Sequence, residues 1–197
     1  MHAYTPRAIS RSVEAGVKCI DHGQLIDEPT MKLLADRGVW LSTQPFLEDE
    51  DAIPTAPGSG NERKYQQVAS GTVRAYTLAK KFGVKLAFGT DIQFNPKGVE
   101  RMPFYLPKLV RWFSPAEVLR MATRDNAQQL ALSGPRSPYP GKPGVVEVGA
   151  LADLLLVDGD PIANIQLLED PSRNLLVIMK DGKIQKAAGA VIGSGAP

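Results

Sequence analysis

Three apolar runs over residues 1–91 constrain what this chain can fold into more than any other feature. VKCIDHG (17–23), VWLSTQPF (39–46) and VKLAFGTD (84–91) show no clean polar alternation, and each follows a segment that reads as a helix. In the first such segment Thr5 fits the N-cap, Pro6 the first helical position and Gly16 a left-handed stop. Asp27 and Gly38 bracket the second, and residues 63–82 with Gly83 form the third. Strands without alternation, each delivered by a helix, are what a parallel sheet covered on one or both faces requires.

A further helix is expected from Ser114 to about Leu130, where SPAE supplies a serine cap, a proline at the first position and Glu117 to close a capping box. Beyond it SGPRSPYPGKPG (133–144) is rich in proline, glycine and serine and reads as a linker. VVEV (145–148), LADLLLVD (151–158) and NLLVIMKDGKIQK (174–186) then read as strands, the last turning back at Asp181 and Gly182. The end of the chain, AGAVIGSGAP, carries little to pack and reads as a flexible tail.

Charge narrows the function classes. With 23 basic and 21 acidic residues interspersed, the net charge of +2 gives no electrostatic footprint for nucleic acid or an anionic membrane. No apolar run has the length of a membrane span, and the N-terminus lacks the regions of a signal peptide, so the chain as written reads as cytoplasmic. A signal lying upstream would make it periplasmic or secreted. A single cysteine, Cys19, excludes an internal disulfide and a thiolate metal cluster.

The polar residues at the strand ends carry the chemistry. His22 ends one expected strand and Asp91 another, and in a parallel sheet the carboxyl ends form the face where ligands collect. Two imidazoles and a carboxylate, His2, His22 and Asp91, are ligand types that suit zinc or a similar divalent ion with a position left for water. The same placement also suits a hydrogen-bonded turn histidine and a cap aspartate, and spacing alone leaves both readings open. Tyr4, Gln44 and Phe46 stand where they could touch a small-molecule substrate or simply pack. The acidic run EDED (48–51) reads as a solvated linker or lid, and Asp153 and Asp158 as structural. Neither a serine or cysteine nucleophile elbow nor a glycine-rich phosphate loop is recognisable.

HAY (2–4), IDHG (20–23), FGTD (88–91), MATRDNAQQLAL (121–132) and GALADLLLVDGDPIANI (149–165), in that order, resemble the C-terminal half of the amidohydrolase superfamily, in its imidazolonepropionase-like and Xaa-Pro dipeptidase-like branch. The resemblance implies an α/β fold: strands five to eight of a TIM (β/α)8 barrel over residues 1–133, part of a small β-sandwich over 134–186, and a tail over 187–197. It implies a metal-dependent hydrolase of amide, peptide-like or cyclic amide C–N bonds. His2 and His22 would serve the more exposed ion of a zinc pair. Asp91 would bind the more buried one and move the proton of the activated water to the leaving group.

The chain departs from that pattern in two places: it has no His-x-His pair, since His2 and His22 are its only histidines, and no strand-four segment to supply a bridging lysine. A partial site, a truncated chain and an open sheet edge inviting self-association are therefore expected. The alternatives are a noncatalytic fragment or pseudoenzyme module, and a deaminase or lactonase of the same superfamily.

Overall fold

The computed structural model describes residues 1–92 and 96–188, so the expected flexible tail lies, from residue 189 onward, outside the described residues. The chain divides into two units, Met1–Trp112 and Phe113–Pro197. This division falls upstream of the proline- and glycine-rich stretch where composition places a linker.

In the first unit, β1 (His2–Ala3), α1 (Pro6–Glu14), β2 (Cys19–His22), α2 (Glu28–Arg37), β3 (Trp40–Thr43), α3 (Gly60–Phe82) and β4 (Leu86–Phe88) alternate as the apolar runs require. The strands pair in parallel in the order β1-β2-β3-β4, with Ala3 opposite His22, Ile20 opposite Leu41 and Leu41 opposite Leu86. Each crossover carries a helix, as parallel neighbours demand. Ile9, Ile20, Met31, Leu34, Leu41 and Tyr76 are fully buried, each aliphatic side chain contributing about 1.5–3 kcal/mol. The helix limits are set locally. The Asp27 side chain accepts from the Thr30 amide, Ser59 accepts from the Glu62 amide, and Gly38 and Gly83 close their helices in the left-handed region. α3 starts earlier than the expected residue 63 because Ser59 caps it at Gly60. Thr5 sits at the cap of α1 but its side chain makes no capping bond.

After β4 come two short helices, α4 (Pro96–Val99) and α5 (Met102–Tyr105), and a 3-10 turn, Pro107–Arg111. α5 and this turn bring a correction. Asp51, the last residue of the acidic run, does not face water: its side chain is 1% exposed, held by Arg101 Nε at 2.6 Å and Lys108 Nζ at 2.7 Å. Lys108 also reaches Asp49 at 2.8 Å, and the Tyr105 hydroxyl donates to the Asp51 carbonyl. Two cations arriving from far along the chain neutralise a carboxylate that composition alone assigns to solvent.

In the second unit the Ser114–Glu117 capping box forms, and α6 (Pro115–Arg120), a π-helical turn (Met121–Asp125) and α7 (Asn126–Leu130) make one helical run. A 3-10 turn, Ala131–Arg136, carries it into the expected linker. A short helix, α8 (Pro171–Asn174), precedes the hairpin. β5 (Leu154–Val157), β6 (Leu175–Lys180) and β7 (Lys183–Ala187) form an antiparallel sheet in that order. Asp181 and Gly182, both at positive φ, turn β6 into β7 as a two-residue hairpin requires. The expected strand at 145–148 does not form. Gly144 and Gly149, at φ 78° and 84°, turn the backbone on either side of it, leaving Val146 and Val148 exposed and only an isolated bridge between Lys142 and Ala150.

Candidate active site

Because β1 to β4 run parallel, the residues that leave them share one edge of the sheet. Tyr4 follows β1, His22 ends β2, Gln44 follows β3, and Asp91 lies just past β4. The structure brings four of these side chains and His2 together. The His2 and His22 rings meet edge to face with centroids 4.2 Å apart, and Tyr4 stacks on His22 at 4.5 Å with an interplanar angle of 11°. Tyr4 also meets His2 edge-on at 5.1 Å. Gln44 Oε1 lies 2.9 Å from His22 Nδ1, and Asp91 Oδ2 lies 4.0 Å from the same nitrogen.

The backbone is strained where the chemistry is expected. Three described non-glycine residues take positive φ: Asp181 in the hairpin turn, His22 at 82° and Asp91 at 52°. Such conformations persist only where surrounding structure imposes them, and they concentrate at functional sites. At His22 the cause is visible. Gly23 follows at φ 72°, and a Cβ there would stand 2.7 Å from Leu41 Cδ1, so the chain turns tightly against β3 as it leaves the sheet.

Burial sets the electrostatics. The His22 side chain is 6% exposed and that of Asp91 31%. Burial pushes the His22 imidazole below its ordinary pKa; the Gln44 bond pulls it back up, His2 pushes it down, and Asp91 and Asp21 pull it up. Neutral imidazole is the form that ligates metals. Burial, and then the Asp91 charge, raise the Tyr4 hydroxyl above the usual phenol value, so Tyr4 stays protonated and able to donate.

The donor set fits a divalent ion in kind, with two imidazoles in contact and a carboxylate beside them. It does not form a complete cage: among the described residues no group of three or more His, Cys, Asp or Glu side chains is arranged to hold a metal. Phe46 is buried against the Tyr65 ring, with centroids 6.5 Å apart, and the Tyr65 hydroxyl donates to the Leu47 carbonyl. One neighbour of the site escapes sequence reading. Gln24, fully buried, donates from Nε2 to Gln44 Oε1 at 3.2 Å and to the Gln44 carbonyl at 3.4 Å. Its place two residues after His22, at the same strand end, is the signal that could have found it.

Among the described residues no helix is long and apolar enough to cross a membrane. Comparison with known proteins gives the site a context. Ochratoxinase from Aspergillus niger is 25% identical over 193 residues, an alignment covering 95% of this chain and 38% of that protein. A crystal structure of an amidohydrolase superposes with a TM-score of 0.82 at 31% identity, covering 95% of this chain and 44% of that one. A prolidase solved with N-methylphosphonate-L-proline gives a TM-score of 0.77 at 28% identity, again covering 95% and 44%. The chain thus spans less than half the length of these relatives. The amidohydrolase family model matches residues 1–185, nearly the whole of the described chain, and the protein belongs to the amidohydrolase family.

Proposed function

We propose that this chain forms part of a metal-dependent hydrolase that cleaves C–N bonds in small amide, peptide-like or cyclic amide substrates. The observation that carries the reading is the gathering of His2, Tyr4, His22, Gln44 and Asp91 at the carboxyl ends of four parallel strands. On this reading β1 to β4 are strands five to eight of a (β/α)8 barrel, and β5 to β7 are part of a small β-sandwich. On the same reading the domain limits are 1–133 and 134–186, the second corrected to 187 because β7 runs on to Ala187. The prolidase and ochratoxinase relatives support an amide substrate.

His2 and His22 would hold a divalent ion, zinc by the ligand types. When bound, such an ion lowers the pKa of water and polarises a scissile carbonyl. Asp91, partly exposed and held at positive φ, would be the carboxylate ligand and would also take a proton and pass it to the leaving nitrogen. Tyr4 packs its face on His22 and keeps a hydroxyl that can donate to a substrate oxygen. Gln44 and Phe46 would shape the pocket wall. The lack of a three-ligand cluster among the described residues favours one rival, a noncatalytic module with a weak metal site.

Elemental analysis of dialysed protein, beside His22→Ala, separates the two. Zinc stoichiometric with the chain and lost in the variant is expected, followed by hydrolysis of Xaa-Pro dipeptides. Folded protein that binds no zinc would leave the noncatalytic module standing.

A further inference from the structure

A backbone carbonyl has no donor, so it fixes the sense of every hydrogen bond that follows from it. The Gln44 carbonyl oxygen lies 3.4 Å from the Gln24 amide group, which must therefore turn its NH2 toward Gln44. That NH2 also lies 3.2 Å from the Gln44 side-chain amide, which must answer with its oxygen. The same oxygen lies 2.9 Å from His22 Nδ1, so Nδ1 must carry the hydrogen. Three buried side chains thus form a one-way relay that starts at the main chain and ends on the imidazole.

The relay has a visible cost. With its NH2 turned to Gln44, the Gln24 Oε1 is buried without a hydrogen-bond partner among the described residues. Packing holds Gln24 there all the same. Gly71 of α3 lies so close to the Gln24 main-chain carbonyl that a Cβ would stand 2.2 Å from its oxygen.

We propose that Gln24 and Gln44 are positioning residues which hold His22 as the Nδ1–H tautomer, leaving Nε2 as the ring nitrogen with a free lone pair. The assignment of a role to that lone pair rests on His22 being a metal ligand; the tautomer itself does not. The nitrogen a histidine offers to a metal is set by the bond its other nitrogen makes, and loss of such a partner weakens affinity about 10- to 100-fold.

The chain has only two histidines, so 15N ring spectra of the metal-free protein, recorded above neutral pH, are readable directly; His2→Gln assigns the remaining signal to His22. The expected result is a protonated Nδ1 and an unprotonated Nε2 in the unaltered chain. In Gln44→Leu the proton should shift toward Nε2, and in Gln24→Leu, where Gln44 is free to turn over, a mixture should appear. Zinc titration of the same variants should show affinity reduced about 10- to 100-fold. An unaltered chain with Nε2–H, or a tautomer unmoved in both variants, overturns the relay. If Gln44→Leu fails to fold, the unaltered chain and Gln24→Leu still decide. If the chain shows Nδ1–H but binds no zinc, the relay stands and the metal reading fails.

Discussion

Two buried polar clusters sit beyond the strand ends of the first unit, and they are built on opposite terms. Around Asp51 everything is charged and compensated: the carboxylate takes a two-pronged Arg101 at 2.6 and 3.3 Å and Lys108 at 2.7 Å. Around His22 the direct hydrogen-bond partner is an uncharged amide, Gln44, the Asp91 carboxylate stands off at 4.0 Å, the backbone is at positive φ, and Gln24 Oε1 is left over. The first tethers the segment after β3 to the segment after β4. The second spends stability to keep one ring in one state, as functional sites do.

The largest test of that contrast removes Asp51. Asp51→Ala leaves Lys108, 10% exposed, with Asp49 as its carboxylate partner and Arg101, 36% exposed, with Glu50 at 3.5 Å; urea unfolding should show a loss of about 3 kcal/mol, the low end for a broken buried pair. The same cluster sets an acid limit. Burial alone would raise the Asp51 carboxyl, but its bonds and charge contacts with Arg101 and Lys108 together hold it below the usual carboxylate range. Below about pH 4 the unfolded chain takes up a proton that the folded chain refuses, so this stabilisation is lost as pH falls through the folded pKa. Asp51→Asn should flatten that part of the stability profile; an unchanged profile would remove Asp51 from the account.

A smaller effect is expected where α3 meets Gln24. Gly71→Ala gains about 1 kcal/mol of helix propensity but drives a Cβ into a backbone oxygen, for a net loss near 2 kcal/mol in the same unfolding measurement. A stabilised variant would mean that α3 can shift freely and does not hold Gln24. The smallest effect belongs to Asp91. Asp91→Asn keeps a side chain that tolerates positive φ and should change stability by less than about 0.5 kcal/mol, while the hydrolysis proposed above should be lost. A large stability change would place Asp91 with Asp51, as a structural charge.

The contrast also explains what was legible in the sequence. Asp27, Gly38, the Ser114–Glu117 box and the Asp181–Gly182 turn act within four residues, so local chemistry announces them. The gathering of His22 and Asp91 followed from their places at strand ends, without the distances. Asp51 was misread because its partners stand 50 or more residues away, where no local pattern points. Val145–Val148 was misread for the converse reason: its composition favours a strand, but pairing needs a neighbour that the turns at Gly144 and Gly149 deny it. Gln24 escaped because an amide outside any motif looks like any other polar residue, and its role exists only through Gln44.

The insertion of α3 between β3 and β4 has a further consequence, in the order of assembly. Lys180 pairs with Lys183 across a two-residue turn, whereas Leu41 must find Leu86 across the whole of α3 and the segment before it. Closing a tight hairpin takes about 1–10 μs, while contacts distant in sequence incur their loop entropy before anything rewards it. The β6–β7 hairpin can therefore form early and alone. The approach of Asp91 to His22 needs β4 docked near β3 and so has to wait for that longer closure.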